Sequence, residues 1–223
     1  MSRRTNVIGI CGICLCVLLL VATQHRPALI QESSQFTTEI ANATVTIAEI
    51  LASQRSRIAL EMENFEYPSG RFQVDAEKLT DLTLETNGTP VRSVVITTWR
   101  SGSTFLGDIL NAMPANFYHY EPLLNWGIRR IRGRPDSDKK ALKNLKNLLK
   151  CDFSKMGDYL EYGQDHTYLF EHNIRLWNQC KDFPKYCWQP KFLTPYCKLF
   201  PLQSMKTVRM SLAVAEKLLE DNR

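Results

Sequence analysis

The chain has 223 residues and a mass of 25.7 kDa, room for one ordinary domain or a small domain with appendages, which excludes a multi-domain machine. Apolar residues make up 44% and charged residues 23%, a balance that fits a packed core and argues against bulk disorder. The formal net charge of +5 is too small to point to nucleic acid as a partner.

Residues 1–6 carry Arg3 and Arg4, and residues 7–22 form an uncharged run, VIGICGICLCVLLLVA. Its sixteen residues fall slightly short of the ~20 that cross a typical bilayer, a gap that a thinner membrane of the early secretory pathway narrows. A cleaved signal peptide is the rival reading. Its A-x-A-like cleavage pattern is poorly met, because Leu20 stands two positions before Ala22. The run therefore reads as an uncleaved signal anchor, with residues 1–6 as a cytosolic tail and the remainder lumenal. Asn42-Ala43-Thr44 and Asn87-Gly88-Thr89 are N-glycosylation acceptors by pattern. Cys11, Cys14 and Cys16 lie in the apolar run. Cys151, Cys180, Cys187 and Cys197 lie beyond it, and an even number in an oxidising compartment predicts two disulfides with three connectivities open. Neither these cysteines nor His166 and His172 have the spacing of a metal site, so no metal is expected.

Residues 23–90 read as a lumenal stem. Ile40, Thr44, Ile47, Leu51, Gln54, Ile58, Glu61 and Phe65 recur at alternating four- and three-residue steps, a heptad seam. Such a seam either pairs two chains into a homodimer or lays a helix on the main domain. Tyr67-Pro68-Ser69-Gly70 ends it. Residues 31–90 hold ten acidic and four basic side chains, a net charge of minus six.

The pattern changes at residue 91. Residues 91–98 are β-branched and follow Pro90, which predicts a buried strand. Ser103 is placed to cap a helix with Phe105, Leu106, Ile109, Leu110 and Met113 as its apolar positions. Residues 117–120 read as a second strand, stopped by Pro122. Strand, helix, strand opens a βαβ unit, hence an α/β fold with a parallel sheet flanked by helices. Residues 129–155 carry ten basic and three acidic groups, either a solvated helical face or an electrostatic approach for an anionic substrate. A helix is expected over 139–150, a disulfide-pinned loop over 183–201, a short strand over 205–210 and a helix over 211–223.

The segment that carries chemistry is Thr98-Trp99-Arg100-Ser101-Gly102-Ser103-Thr104-Phe105. A tight turn leaving a strand and entering a helix aims successive backbone N–H groups at an anion, and the helix dipole adds partial positive charge. Ser101, Ser103 and Thr104 add hydroxyl donors, and Arg100 adds a fixed charge with a two-pronged grip. This is a phosphate or sulfate cradle. It lacks the G-x-x-x-x-G-K-[ST] spacing and lysine of a Walker loop, which argues against a nucleotide triphosphatase.

WRSGSTFLGDIL, followed by FYHYEPL, resembles the Golgi carbohydrate sulfotransferases, in particular the branch that sulfates the 6-hydroxyl of galactose, N-acetylglucosamine or N-acetylgalactosamine. The resemblance covers 91–223. It implies a single-pass type II Golgi membrane protein acting on glycan acceptors, with 3′-phosphoadenosine 5′-phosphosulfate as donor. It also implies that Arg100, Ser101, Gly102, Ser103 and Thr104, with Phe105 adjoining, hold the 5′-phosphosulfate. Glu121 then stands beside the cradle as the general base, or as a structural carboxylate paired with Arg100 or a backbone amide. His119, two residues away on the same strand face, is the alternative base. Lys206-Thr207-Val208-Arg209-Met210 resembles a core strand of the family, with Arg209 either reaching an anion or held in a buried pair.

The family binds the donor's 3′-phosphate through an R-D-P-R-like turn, and no such run occurs in the 223 residues. The expectation is therefore the N-terminal part of a sulfotransferase domain with half a donor site and weak or undetectable binding of adenosine 3′,5′-bisphosphate. A non-catalytic, membrane-anchored protein that binds glycans or pairs with an enzyme is the alternative.

Overall fold

The computed structural model describes residues 45–68, 75–127 and 135–220. The expected membrane run at 7–22 and the Asn42 acceptor lie outside them. Among the described residues no helix is long and apolar enough to cross a membrane.

The helix α1 (Ile47–Glu61) opens a compact unit that runs Ile47–Arg223. Then follow β1 (Val91–Ile96), α2 (Ser103–Ala112), β2 (Asn116–Tyr120), α3 (Pro135–Leu149), α4 (Gly157–Asp165), the short α5 (Tyr168–Glu171), α6 (Ile174–Asp182), α7 (Pro190–Lys198), β3 (Leu202–Thr207) and α8 (Leu212–Glu220). The three described strands form one parallel sheet in the order β1-β3-β2. The α/β class and the parallel sheet expected from the sequence are present. Strand β3 lies between β1 and β2, pairing Val95 with Lys206 on one side and Tyr120 with Lys206 on the other. Central placement explains why all six residues of β3 are buried. β1, expected as a buried strand, is only half-buried, and among the described strands it pairs with β3 alone.

The heptad seam is resolved in favour of the chain's own domain. Leu51, Gln54 and Ile58 are buried, and α1 packs against α7. Glu61 ties the end of the helix down, accepting from the Ala115 N–H at 2.6 Å and from Arg175 at 2.5 Å. Over the described part of the seam, the face expected to pair two chains is thus occupied internally.

Two expectations for the C-terminal half change. The loop expected over 183–201 contains α7: Pro190 sits in its first turn, where a missing N–H costs nothing, and Pro195 is accommodated inside a short helix. The aromatics there build core. Phe117, Phe192, Tyr196 and Phe200 are buried, with ring centroids 5.1–6.3 Å apart, and each such pair contributes about 0.5–1.5 kcal/mol beyond area burial. The last strand also begins earlier, at Leu202, because Leu202 and Gln203 already pair with both neighbours. Of the three connectivities, the structure selects Cys151–Cys197 and Cys180–Cys187. The first ties the end of α3 to α7, and the second closes the turn after α6.

Helix α2 crosses the sheet at Gly107, where an added Cβ would run into the Tyr118 hydroxyl. Its apolar positions Phe105, Leu106 and Ile109 are 72%, 44% and 48% exposed, so this helix touches the sheet through its smallest residue.

Candidate functional site

At the C-terminal end of β1 the chain turns sharply. Arg100 has φ 61° and Gly102 φ 75°, both left-handed, and α2 starts at Ser103. Gly102 takes the cap position expected of Ser103, since only a residue without Cβ adopts that backbone without strain; Ser103 is the first helical residue. The Ser101 hydroxyl donates to the Thr98 carbonyl at 2.8 Å and lies 2.5 Å from the Thr97 hydroxyl, so it braces the turn from within. Of the leading N–H groups of α2, that of Phe105 donates to the Gly102 carbonyl at 3.1 Å, and the first turn of a helix is where backbone N–H groups without an intrahelical acceptor can hold an anion.

The turn forms one wall of an open cavity of about 430 Å³ lined by residues 98–104 together with Glu121, Lys206 and Val208. The cavity thus gathers Arg100, Ser101, Gly102, Ser103, Thr104 and Glu121. Phe105, exposed on the helix surface, lies outside that lining.

Glu121 follows β2 directly and turns out of it with φ 39°. Its N–H donates to the Lys206 carbonyl at 2.9 Å, which keeps it in register with β3. Both carboxylate oxygens are engaged: Lys206 Nζ donates to Oε1 at 2.6 Å and Arg209 Nη1 to Oε2 at 2.7 Å. The partner considered from the sequence, Arg100, is replaced by these two. Lys206 and Arg209 are 2% and 6% exposed, and each also lies near an aromatic face. Lys206 Nζ lies 4.7 Å from the Tyr120 ring centroid, and the Arg209 guanidinium 5.4 Å from that of Trp99.

His119 does not share this cavity. Its ring packs edge-on to Phe117 at 5.1 Å and lines a second, small cavity with Phe153 and Asn173. The expectation of a common face with Glu121 fails because Glu121 has left the strand. Burial pushes the His119 imidazole down to about 3, so it stays neutral in the fold. Because the unfolded chain takes up a proton below about pH 6.5 and the folded chain does not, stability falls as pH drops, by about 2 kcal/mol between pH 7 and pH 5 from this residue. Denaturant titrations at both pH values, compared between the wild type and His119→Phe, measure that share directly; the variant should lose the extra slope.

Among known proteins, carbohydrate sulfotransferase 7 of Rattus norvegicus is 40% identical over 67 residues, which is 30% of this chain and 14% of that protein. The chain is related to the carbohydrate sulfotransferases. Human carbohydrate sulfotransferase 2 is 39% identical over 61 residues, 27% of this chain and 12% of the relative. Human carbohydrate sulfotransferase 6 is 29% identical over 82 residues, 36% of this chain and 21% of the relative. The matched stretches span between 12% and 21% of these relatives' length. No family model matches the chain, and no solved structure matches it.

For a sulfotransferase relative, the residue that sequence reasoning passed over is Lys206. It was legible only as one position of a core strand. The signal that would have found it is a lysine at the C-terminal end of a strand that is otherwise wholly buried, which demands an acidic partner. No group of histidine, cysteine and acidic side chains suited to a metal occurs among the described residues.

Proposed function

We propose that the chain transfers a sulfuryl group from 3′-phosphoadenosine 5′-phosphosulfate to the 6-hydroxyl of a sugar in a glycan, as a lumenal domain anchored in the Golgi membrane by residues 7–22. The observation that carries this reading is one cavity in which a helix N-terminus, Arg100, Lys206 and Glu121 converge, in a relative of the carbohydrate sulfotransferases. The cavity suits the phosphosulfate portion of the donor: its wall offers backbone N–H groups and hydroxyls, and its charged lining is mainly cationic.

In this mechanism the sugar oxygen attacks sulfur in line, the bond from sulfur to the bridging oxygen breaks, and adenosine 3′,5′-bisphosphate leaves with the bond's electrons. Arg100 and the N–H groups of the turn stabilise the charge that develops on the leaving phosphate. Ser103 and Thr104 donate to the non-bridging oxygens. Glu121 takes the proton of the attacking hydroxyl, a transfer that requires one of its oxygen lone pairs to face the acceptor.

The test is incubation of the full chain with donor labelled with radioactive sulfur and with glycans ending in galactose, N-acetylglucosamine or N-acetylgalactosamine, each beside its 6-deoxy analogue. Label is expected on at least one 6-hydroxyl acceptor and on none of the analogues. Equal label on a 6-deoxy analogue overturns the 6-hydroxyl assignment. No label on any acceptor overturns transfer and favours an anion-binding protein without catalysis.

A further inference from the structure

The cations bound to Glu121 outnumber the carboxylate that holds them. Lys206 and Arg209 are both nearly fully buried, and both donate to the same Glu121. The three together carry one surplus positive charge. A buried charge without a partner is costly, and the guanidinium has a further buried donor, Nε, without a hydrogen-bond partner. Trp99 and Tyr120 lie against the two cations, and neither brings a full negative charge. Lys206 is the member of the pair that lines the cavity, facing the same space as the turn at 98–104. Its position on the central strand, between the strand that feeds the turn and the strand that delivers Glu121, is fixed by pairing on both sides.

We propose that Lys206 is a direct ligand of the anion held by the turn, and that the anion draws Lys206 off Glu121, so that Glu121 is free to accept a proton only when the anion is in place. This rests on the sulfuryl-transfer reading above and adds a residue and an order of events to it. Oε1 of Glu121 accepts from the lysine at 2.6 Å, and the acid–base group is masked by that contact. An incoming phosphosulfate supplies the missing negative charge, the ammonium moves to its oxygens, and Oε1 turns to the acceptor hydroxyl. Arg209 stays on Oε2 and keeps the carboxylate aimed. Lys206 is then a catalytic residue that touches the donor, and Arg209 a positioning residue acting through Glu121.

The geometry makes two predictions of opposite sign. Lys206→Met removes the surplus charge and leaves a balanced Glu121–Arg209 pair. It should therefore melt no lower than the wild type in anion-free buffer, yet bind the anion at least about tenfold more weakly, the effect of losing one charge-assisted hydrogen bond. Glu121→Gln removes the competitor for the ammonium while keeping an acceptor oxygen, and should bind at least about threefold more tightly. The probe is adenosine 5′-phosphosulfate, which carries the phosphosulfate without the 3′-phosphate, titrated calorimetrically into the full chain in detergent micelles. Lys206→Arg, which keeps a cation, should stay within about fivefold of the wild type. Unchanged affinity in Lys206→Met, with Arg100→Ala weakened, overturns the role of Lys206 and leaves the turn as the anion site. Should Lys206→Met fail to fold, Glu121→Gln decides: tighter binding supports the exchange of partners, and weaker binding overturns it. No binding by the wild type removes both the exchange and the anion site on which it rests.

Discussion

Glu121→Ala is expected to destabilise the folded chain by about 3–5 kcal/mol, because removing one member of a buried ionic cluster leaves the others uncompensated. The carboxylate is the only described acidic group hydrogen-bonded to Lys206 and Arg209, which are 2% and 6% exposed. Without it, two positive charges face each other across the end of β3, and hydration is closed to them on most sides. A leucine-to-alanine change on the exposed face of α2, for example at Leu106, removes no such partner and should cost well under 1 kcal/mol. Urea unfolding of both variants beside the wild type gives the comparison. A loss below about 1 kcal/mol in Glu121→Ala means that the cations find other partners or reach water, and the cluster is then less buried than its geometry indicates.

The two disulfides are expected to differ in what they contribute. Cys151–Cys197 spans 46 residues of sequence and Cys180–Cys187 spans 7. In the chain-entropy picture the long loop is worth about 4 kcal/mol and the short one about 2.5 kcal/mol. The long bridge also fixes α7, whose Phe192, Leu193, Tyr196 and Cys197 are buried, to the end of α3. Replacing Cys151 and Cys197 together by alanine should therefore lower the urea midpoint clearly more than replacing Cys180 and Cys187. Equal losses would show that the short bridge carries more than loop closure.

The parts of the fold legible in the sequence are those where local pattern and tertiary structure agree. The β-branched run at 91–96 and the turn at 98–104 follow from residue types that suit a strand and a left-handed bend. Gly102 has φ 75°, as a turn into a helix requires. The cysteine count correctly implied two bridges, but the partners depend on which helices meet, and spacing does not encode that. Helix α7 is hidden because its two prolines and two aromatics read as loop. Pro190 instead sits where a helix tolerates it, and the aromatics are core. Helices α4 to α6 gave no signal, being short and interrupted, and are held by packing more than by propensity.

The candidate site was half legible. The turn announces itself through glycine and hydroxyl side chains, and Glu121 through the E-P-L that follows the second strand. Lys206 was hidden by sheet order: only with β3 between β1 and β2 does its ammonium fall between the turn and Glu121. The sequence offers Arg100 or a backbone amide as a structural partner for Glu121, and the fold supplies Lys206 and Arg209 instead.

The measurement that bears most directly on an oxyanion cradle at 98–104 is calorimetric titration of the full chain and of Arg100→Ala with adenosine 5′-phosphosulfate. Arg100 is exposed at the mouth of the cavity, so its loss spares the core and removes a charge-assisted contact. A cradle predicts saturable one-to-one binding that weakens at least about tenfold in the variant. Equal affinity in the two proteins, or no binding by the wild type, would contradict it.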